Sequence, residues 1–76
     1  MTKKSYEIMQ QFVSHQLVKA REDSKLTQKQ VADSKIVSQS ELSKIENGQR
    51  YIDFVTLIEL AEFYKKDVSF FIKKSK

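Results

Sequence analysis

A chain with no proline and a single glycine, Gly48, has almost no vocabulary for the tight corners that join strands. Hairpin turns of the favoured types need backbone at positive φ, which glycine reaches at least steric cost. A multi-stranded sheet is therefore hard to build, and the first expectation is an all-α fold. The 76 residues, 39% hydrophobic and 32% charged, suffice for one small core spanning 1–76 and not for two domains. Without cysteine there is no disulfide and no thiolate metal site, and the lone His15 cannot make a histidine cluster, so no metal and no cofactor is expected. Lys and Arg outnumber Asp and Glu by 14 to 10, a formal +4 that favours an anionic partner. No apolar run approaches the ~20 residues of a membrane span, and Met1, Thr2, Lys3 and Lys4 lead into polar-interrupted sequence instead of a signal peptide's apolar stretch. The expected protein is soluble and cytoplasmic. With no glycine-rich phosphate loop and no paired catalytic signature, it is not expected to be an enzyme.

The spacing of apolar residues predicts five helices. Val13, Leu17 and Ala20 recur at helical intervals in a first helix of roughly Tyr6 to Ser24, with Ile8, Met9 and Phe12 as a second strip. His15, beside that strip, reads as a partly buried packing residue. Thr27 with Gln30, and Ser38 with Glu41, have the three-residue spacing of capping boxes, in which a side chain at each end satisfies an orphan backbone N–H. A short second helix, with Val31 and Ala32 inward, and a third, with Leu42 and Ile45 inward, start at these boxes. Gly48 can close the third helix in the left-handed conformation just beyond Asn47. Asp53 can cap a fourth helix whose stripe is Phe54, Leu57, Ile58, Leu60, Ala61 and Tyr64. Val68 to Ile72 make a short fifth, capped by Asp67 or Ser69, and the basic end Lys73, Lys74, Ser75, Lys76 is expected to fray.

Two capping boxes eleven residues apart leave a connection of three to five residues, the length of the corner in a helix-turn-helix. The runs Thr27-Gln28-Lys29-Gln30-Val31-Ala32 and Val37-Ser38-Gln39-Ser40-Glu41-Leu42-Ser43-Lys44-Ile45-Glu46-Asn47-Gly48 resemble the helix-turn-helix of the lambda-repressor-like regulators, the Cro, phage-repressor or XRE family. Arg21, seven residues before Gln28, fits the same pattern, and the likeness spans about Val13 to Ile72. The corner from Gly48 to Asp53 further resembles small single-domain members such as controller proteins of restriction-modification systems. The chain departs from the family at Lys25 and Ile36, where glycine is common. A β-branched residue at positive φ is strained, so Ile36 is expected at ordinary φ, pointing inward, with Lys35 at the surface.

Short polar side chains on the first turn of the third helix would lie closest to the floor of a DNA groove. Gln39 can pair with adenine N6 and N7, Lys44 can donate to guanine, and Ser40 and Ser43 can reach base or phosphate. The resemblance implies base reading above all for Gln39, Ser40 and Lys44. It also implies a phosphate contact from Gln28, at an N-terminus whose free N–H groups suit an anion. Lys29, Ser38, Arg50 and Tyr51 are candidate phosphate contacts, with Lys35 and Gln49 near them. By the same resemblance Arg21 and Glu46 form a structural salt bridge between the first and third helices. Two apolar patches remain, Ile8, Met9 and Phe12 at one end and Phe70, Phe71 and Ile72 at the other. The second is expected to pair two copies, setting recognition helices one DNA turn, ~34 Å, apart on a near-palindromic operator. The expected function is a sequence-specific DNA-binding regulator, a repressor by default, acting as a homodimer on double-stranded DNA with no small-molecule substrate evident. The alternative is an antitoxin-type interaction module whose Phe70 and Phe71 cover another protein.

Overall fold

A computed structural model describes residues 3–72. Four α-helices follow one another, α1 (Lys3–Asp23), α2 (Gln28–Ala32), α3 (Gln39–Glu46) and α4 (Phe54–Phe63), before a 3-10 turn over Val68–Phe71. No strand occurs among the described residues, and Lys73, Lys74, Ser75 and Lys76 lie outside them. The expected fifth helix is thus a single four-residue turn closed by tighter bonds. Phe70 N–H donates to the Asp67 carbonyl at 2.9 Å and Ile72 N–H to that of Ser69 at 3.2 Å. Asp67 caps it, accepting from Ser69 N–H at 3.0 Å and from the Ser69 hydroxyl.

Side-chain caps fix where the helices begin. Thr27 Oγ1 accepts from Gln30 N–H at 3.1 Å while Gln30 Oε1 accepts from Thr27 N–H at 2.8 Å, a complete capping box. Ser38 forms half of one: its Oγ accepts from Glu41 N–H at 3.1 Å, but the Glu41 carboxylate receives the Ser38 hydroxyl at 3.4 Å instead of the backbone. Asp53 caps α4 through Thr56, accepting from its N–H at 3.1 Å and its hydroxyl at 2.6 Å, and these bonds hold the Asp53 carboxyl below its ordinary pKa.

Three helix ends close alike, by a left-handed residue that turns the chain back. After α1, Lys25 N–H reaches the Glu22 carbonyl and Leu26 N–H that of Arg21; after α3, Gly48 reaches Ile45 and Gln49 reaches Lys44; after α4, Lys65 reaches Glu62 and Lys66 reaches Ala61. The left-handed residues are Lys25 (φ 60°), Gly48 (φ 77°) and Lys65 (φ 59°). A fourth, Lys35 (φ 71°), makes the bend after α2, so Ile36 keeps ordinary φ and packs against the core while Lys35 stays exposed. Lysine therefore stands at three positions of a kind that glycine occupies most cheaply.

The core gathers Leu17 and Ala20 of α1, Val31 of α2, Leu42 and Ile45 of α3, Leu57, Leu60 and Ala61 of α4, then Tyr64 and Phe71. Helix α3 packs on α1 and α2, while the 3-10 turn packs on α1 and α4. Two side-chain amides tie α1 to distant backbone: Gln10 Nε2 donates to the Gly48 carbonyl at 3.2 Å and Gln16 Nε2 to that of Phe70 at 2.9 Å.

The burial pattern corrects several expectations. Phe71 is fully buried, so it belongs to the core and is not a dimer contact. Phe70 is half-buried, edge-on to Phe71 with ring centres 5.2 Å apart and with the Lys66 ammonium 4.8 Å above its ring, which leaves Ile72 alone of that patch exposed. Phe54 leads the α4 stripe in the sequence yet is 69% exposed: at the first helical position it projects past the edge of the packed layer, with Val55 beside it at 65%. His15 is exposed and takes no part in packing the core.

A non-glycine residue in the left-handed region costs about 1–2 kcal/mol, partly offset by the extra unfolded-state entropy glycine brings. The double substitution Lys25→Gly/Lys65→Gly is expected to raise stability by about 1 kcal/mol, read as a higher thermal midpoint by calorimetry. A midpoint that stays or falls refutes this account of the helix ends.

Candidate nucleic-acid interface

Helix α3 is eight residues long and two-faced. Leu42 and Ile45 are buried under it, and Gln39, Ser40 and Lys44 are exposed on its other side, with Ser43 half-buried between. A helix of two turns is marginal alone, so what it packs against decides whether its outer face is rigid.

Its C-terminal end is held by Glu46. One carboxylate oxygen accepts from Arg21 Nε at 2.8 Å; the other accepts from Arg21 Nη2 at 3.1 Å and from Gln28 Nε2 at 2.9 Å. Arg21 Nη1 donates to the Leu26 carbonyl at 2.9 Å, so the guanidinium also fastens the link between α1 and α2. The Glu46 side chain is 3% exposed and that of Arg21 16%. A buried ion pair is tolerable when its remaining donors and acceptors find partners, and here the Leu26 carbonyl and the Gln28 amide supply two of them. The hydrogen bond to Glu46 keeps the Arg21 pKa above its ordinary value, against the opposing effect of burial.

At the other end, Arg50 from the loop after α3 pairs with Glu41 at 3.5 Å, both side chains about half exposed, which is worth little in stability. It nevertheless brings a guanidinium beside the first turn of α3. Tyr51, 52% exposed, stands edge-on to Tyr6 of α1 with ring centres 5.0 Å apart. Lys29 is exposed on α2, Gln49 follows α3 at the surface, and Ser38 is exposed at the cap of α3. Gln28 is half-buried with its amide turned to Glu46, so one of its N–H bonds is engaged inside the molecule. The spacing of residues did not reveal that bond, nor the Glu41–Arg50 pair, because each joins elements whose relative placement a sequence pattern leaves open.

Tyr64, 3% exposed, lies in the field of the same pair. Among the described residues its hydroxyl has no hydrogen-bond partner. Burial, and secondarily the Glu46 carboxylate, push its pKa up to about 12, with Arg21 pulling the other way. A buried hydroxyl without a partner costs about 1–3 kcal/mol of desolvation. Tyr64→Phe should therefore raise stability at neutral pH by about 1 kcal/mol in urea titrations. The alkaline sign comes from linkage. The tyrosine ionises near pH ~10 when unfolded and near 12 when folded, so it draws stability down between those values, and the phenylalanine variant should lose less than the parent over that window. Parallel losses in the two proteins would contradict the buried, neutral phenol.

Together these contacts present a polar helix face on a braced support, beside a loop that carries Arg50. A helix-turn-helix family pattern matches residues 17–71. No curated protein and no solved structure matches the chain. The match covers both α2 and α3, and the family is a DNA-binding one, not an enzyme family. The chain belongs to the helix-turn-helix family of the lambda-repressor-like, XRE kind, and is a DNA-binding regulator of that type.

Proposed function

We propose that this protein is a sequence-specific transcriptional regulator that occupies a near-palindromic operator as a homodimer in the cytoplasm, with α3 in the major groove. The observation that carries the reading is the exposed row Gln39, Ser40 and Lys44 on a helix whose opposite side is sealed by Leu42 and Ile45. Groove insertion needs a protruding polar surface that does not yield, and the Glu46 junction supplies the stiffness.

Gln39, near the helix start, is suited to a bidentate pair with adenine, and Lys44, one turn on, to guanine O6 or N7. Ser40 and Ser43 serve as short donors to base or phosphate. Gln28 keeps one amide N–H for a phosphate while its other is held by Glu46. Lys29, Ser38, Arg50 and Tyr51 grip the backbone around it, where contacts fix register without reading sequence. Repression by occlusion is the simplest outcome of such occupancy.

Selection of bound sites from random duplexes, followed by fluorescence anisotropy on the winner, tests the reading. Gln39→Ala should weaken binding to the selected site by about 1–3 kcal/mol and leave binding to random DNA nearly unchanged. Equal losses on both would remove Gln39 from base reading. Arg50→Ala should weaken binding to every sequence and lower the salt slope by about 1. An unaltered slope would place Arg50 off the phosphates. A dimer neutralising ~6–10 phosphates should itself lose about 10³ to 10⁵ in affinity between roughly 50 and 200 mM salt.

A further inference from the structure

A cleft of about 400 Å³ opens between the N-terminal half of α1, the loop after α3 and the start of α4. Met9, Val13, Ile52, Leu57 and Ile72 give it apolar walls. It reaches as deep as Ser14, which is 6% exposed, so it is a recess and not a flat face. Among the described residues, Arg50 is the one charged group in its lining. The amide of Gln10, also in the lining, is held by the Gly48 carbonyl at 3.2 Å. Residues 6–14 of α1, which form one wall, precede the stretch 17–71 that matches the family pattern, so the recess is built partly outside that pattern.

We propose that this cleft binds a small amphipathic monocarboxylate free in solution, a fatty acid of about decanoate size, whose carboxylate takes Arg50 from Glu41 and so loosens the hold on DNA. The volume lies at the lower end of the ~300–1,000 Å³ usual for small-molecule sites, and such sites combine apolar walls with a few placed polar groups. At the ~30 Å³ that a water-sized group occupies, the recess takes about 13 non-hydrogen atoms, which is the size of decanoate. One cation over apolar walls calls for one anion on an apolar body. A guanidinium is a planar fork that meets a carboxylate with two parallel N–H bonds, whereas Glu41 faces it from a single nitrogen at 3.5 Å. That pair is about half exposed on both sides and worth little, so Arg50 changes partner at small cost. The chain's own continuation past Ile72, three lysines in four residues, would set like charge against Arg50 instead. Because Arg50 also stands beside the first turn of α3, ligand and duplex compete for one side chain, and each weakens the other by the same factor. This coupling rests on the operator reading; the binding of the carboxylate does not.

Titration calorimetry of the full chain with decanoate, without DNA, tests the site. The parent should bind one equivalent with a Kd below about 1 mM. Octanoate should bind roughly tenfold more weakly, because two fewer methylenes are buried. Arg50→Gln, at an exposed position, should keep the circular-dichroism spectrum and weaken decanoate binding about tenfold. Met9→Trp, which puts a larger side chain into the recess, should weaken it as well. In anisotropy on the selected duplex, saturating decanoate should raise the Kd of the parent about three- to tenfold and leave that of Arg50→Gln unchanged. Absence of saturable binding up to about 5 mM overturns the proposal, as does equal decanoate affinity in the parent and Arg50→Gln. Tighter binding to phosphatidylglycerol vesicles than to free decanoate, or a dimer in sedimentation that decanoate dissociates, overturns it by giving the cleft to a membrane or to a second copy. Duplex affinity indifferent to bound decanoate defeats the coupling. A chain that binds decanoate but selects no duplex defeats the operator reading alone, and one that selects a duplex but takes up no decanoate defeats the site alone.

Discussion

A carboxylate at the C-terminal end of a helix sits where the backbone dipole is negative, and on that ground alone Glu46 is misplaced at the last residue of α3. Three N–H donors from two other helices make the position favourable, two from Arg21 of α1 and one from Gln28 of α2. Removing one partner of such a sealed pair costs about 3–5 kcal/mol, because the other charge is left buried alone. The junction thus ties α1, α2 and α3 to one another at a single point. Helix α2, five residues long, draws on it together with its own capping box and the buried Val31.

Against this one fixed point the rest of the molecule is economical in an unusual way. Lysine holds the left-handed position after α1, α2 and α4, and glycine holds it only after α3. A side chain built on Gly48 would meet nothing within 4 Å, so that glycine answers to its backbone angle and not to crowding. The strain at the three lysines is local and modest, and each keeps a positive charge near a negative helix end, which recovers part of it.

Much of this was legible in the sequence because caps are short-range. Thr27, Ser38, Asp53 and Asp67 each engage a residue two or three positions on, and such pairings survive any tertiary arrangement. The buried side of α3 was legible for the same reason, since Leu42 and Ile45 share a face by spacing alone. Failures came where spacing and position in the layer diverge. Phe54 and Leu57 belong to one stripe, yet only Leu57 lies under the neighbouring helices. Phe71 and Ile72 are adjacent and apolar, yet one is sealed and the other open, a distinction set by which way a 3-10 turn faces its neighbours. The exposed patch at Tyr51, Phe54 and Val55 was hidden in the sequence because its members read as stripe and loop.

A helix capped at its start and held at its last residue has little liberty to tilt or slide. In a complex with a duplex, that fixes where the burden of adjustment falls. On the proposed operator reading, the nucleic acid and not the polypeptide would bend or twist to bring two half-sites into step, and the elastic cost of doing so would depend on base steps that no side chain touches. Discrimination among otherwise equal sites would then be written partly in the suppleness of the spacer between them.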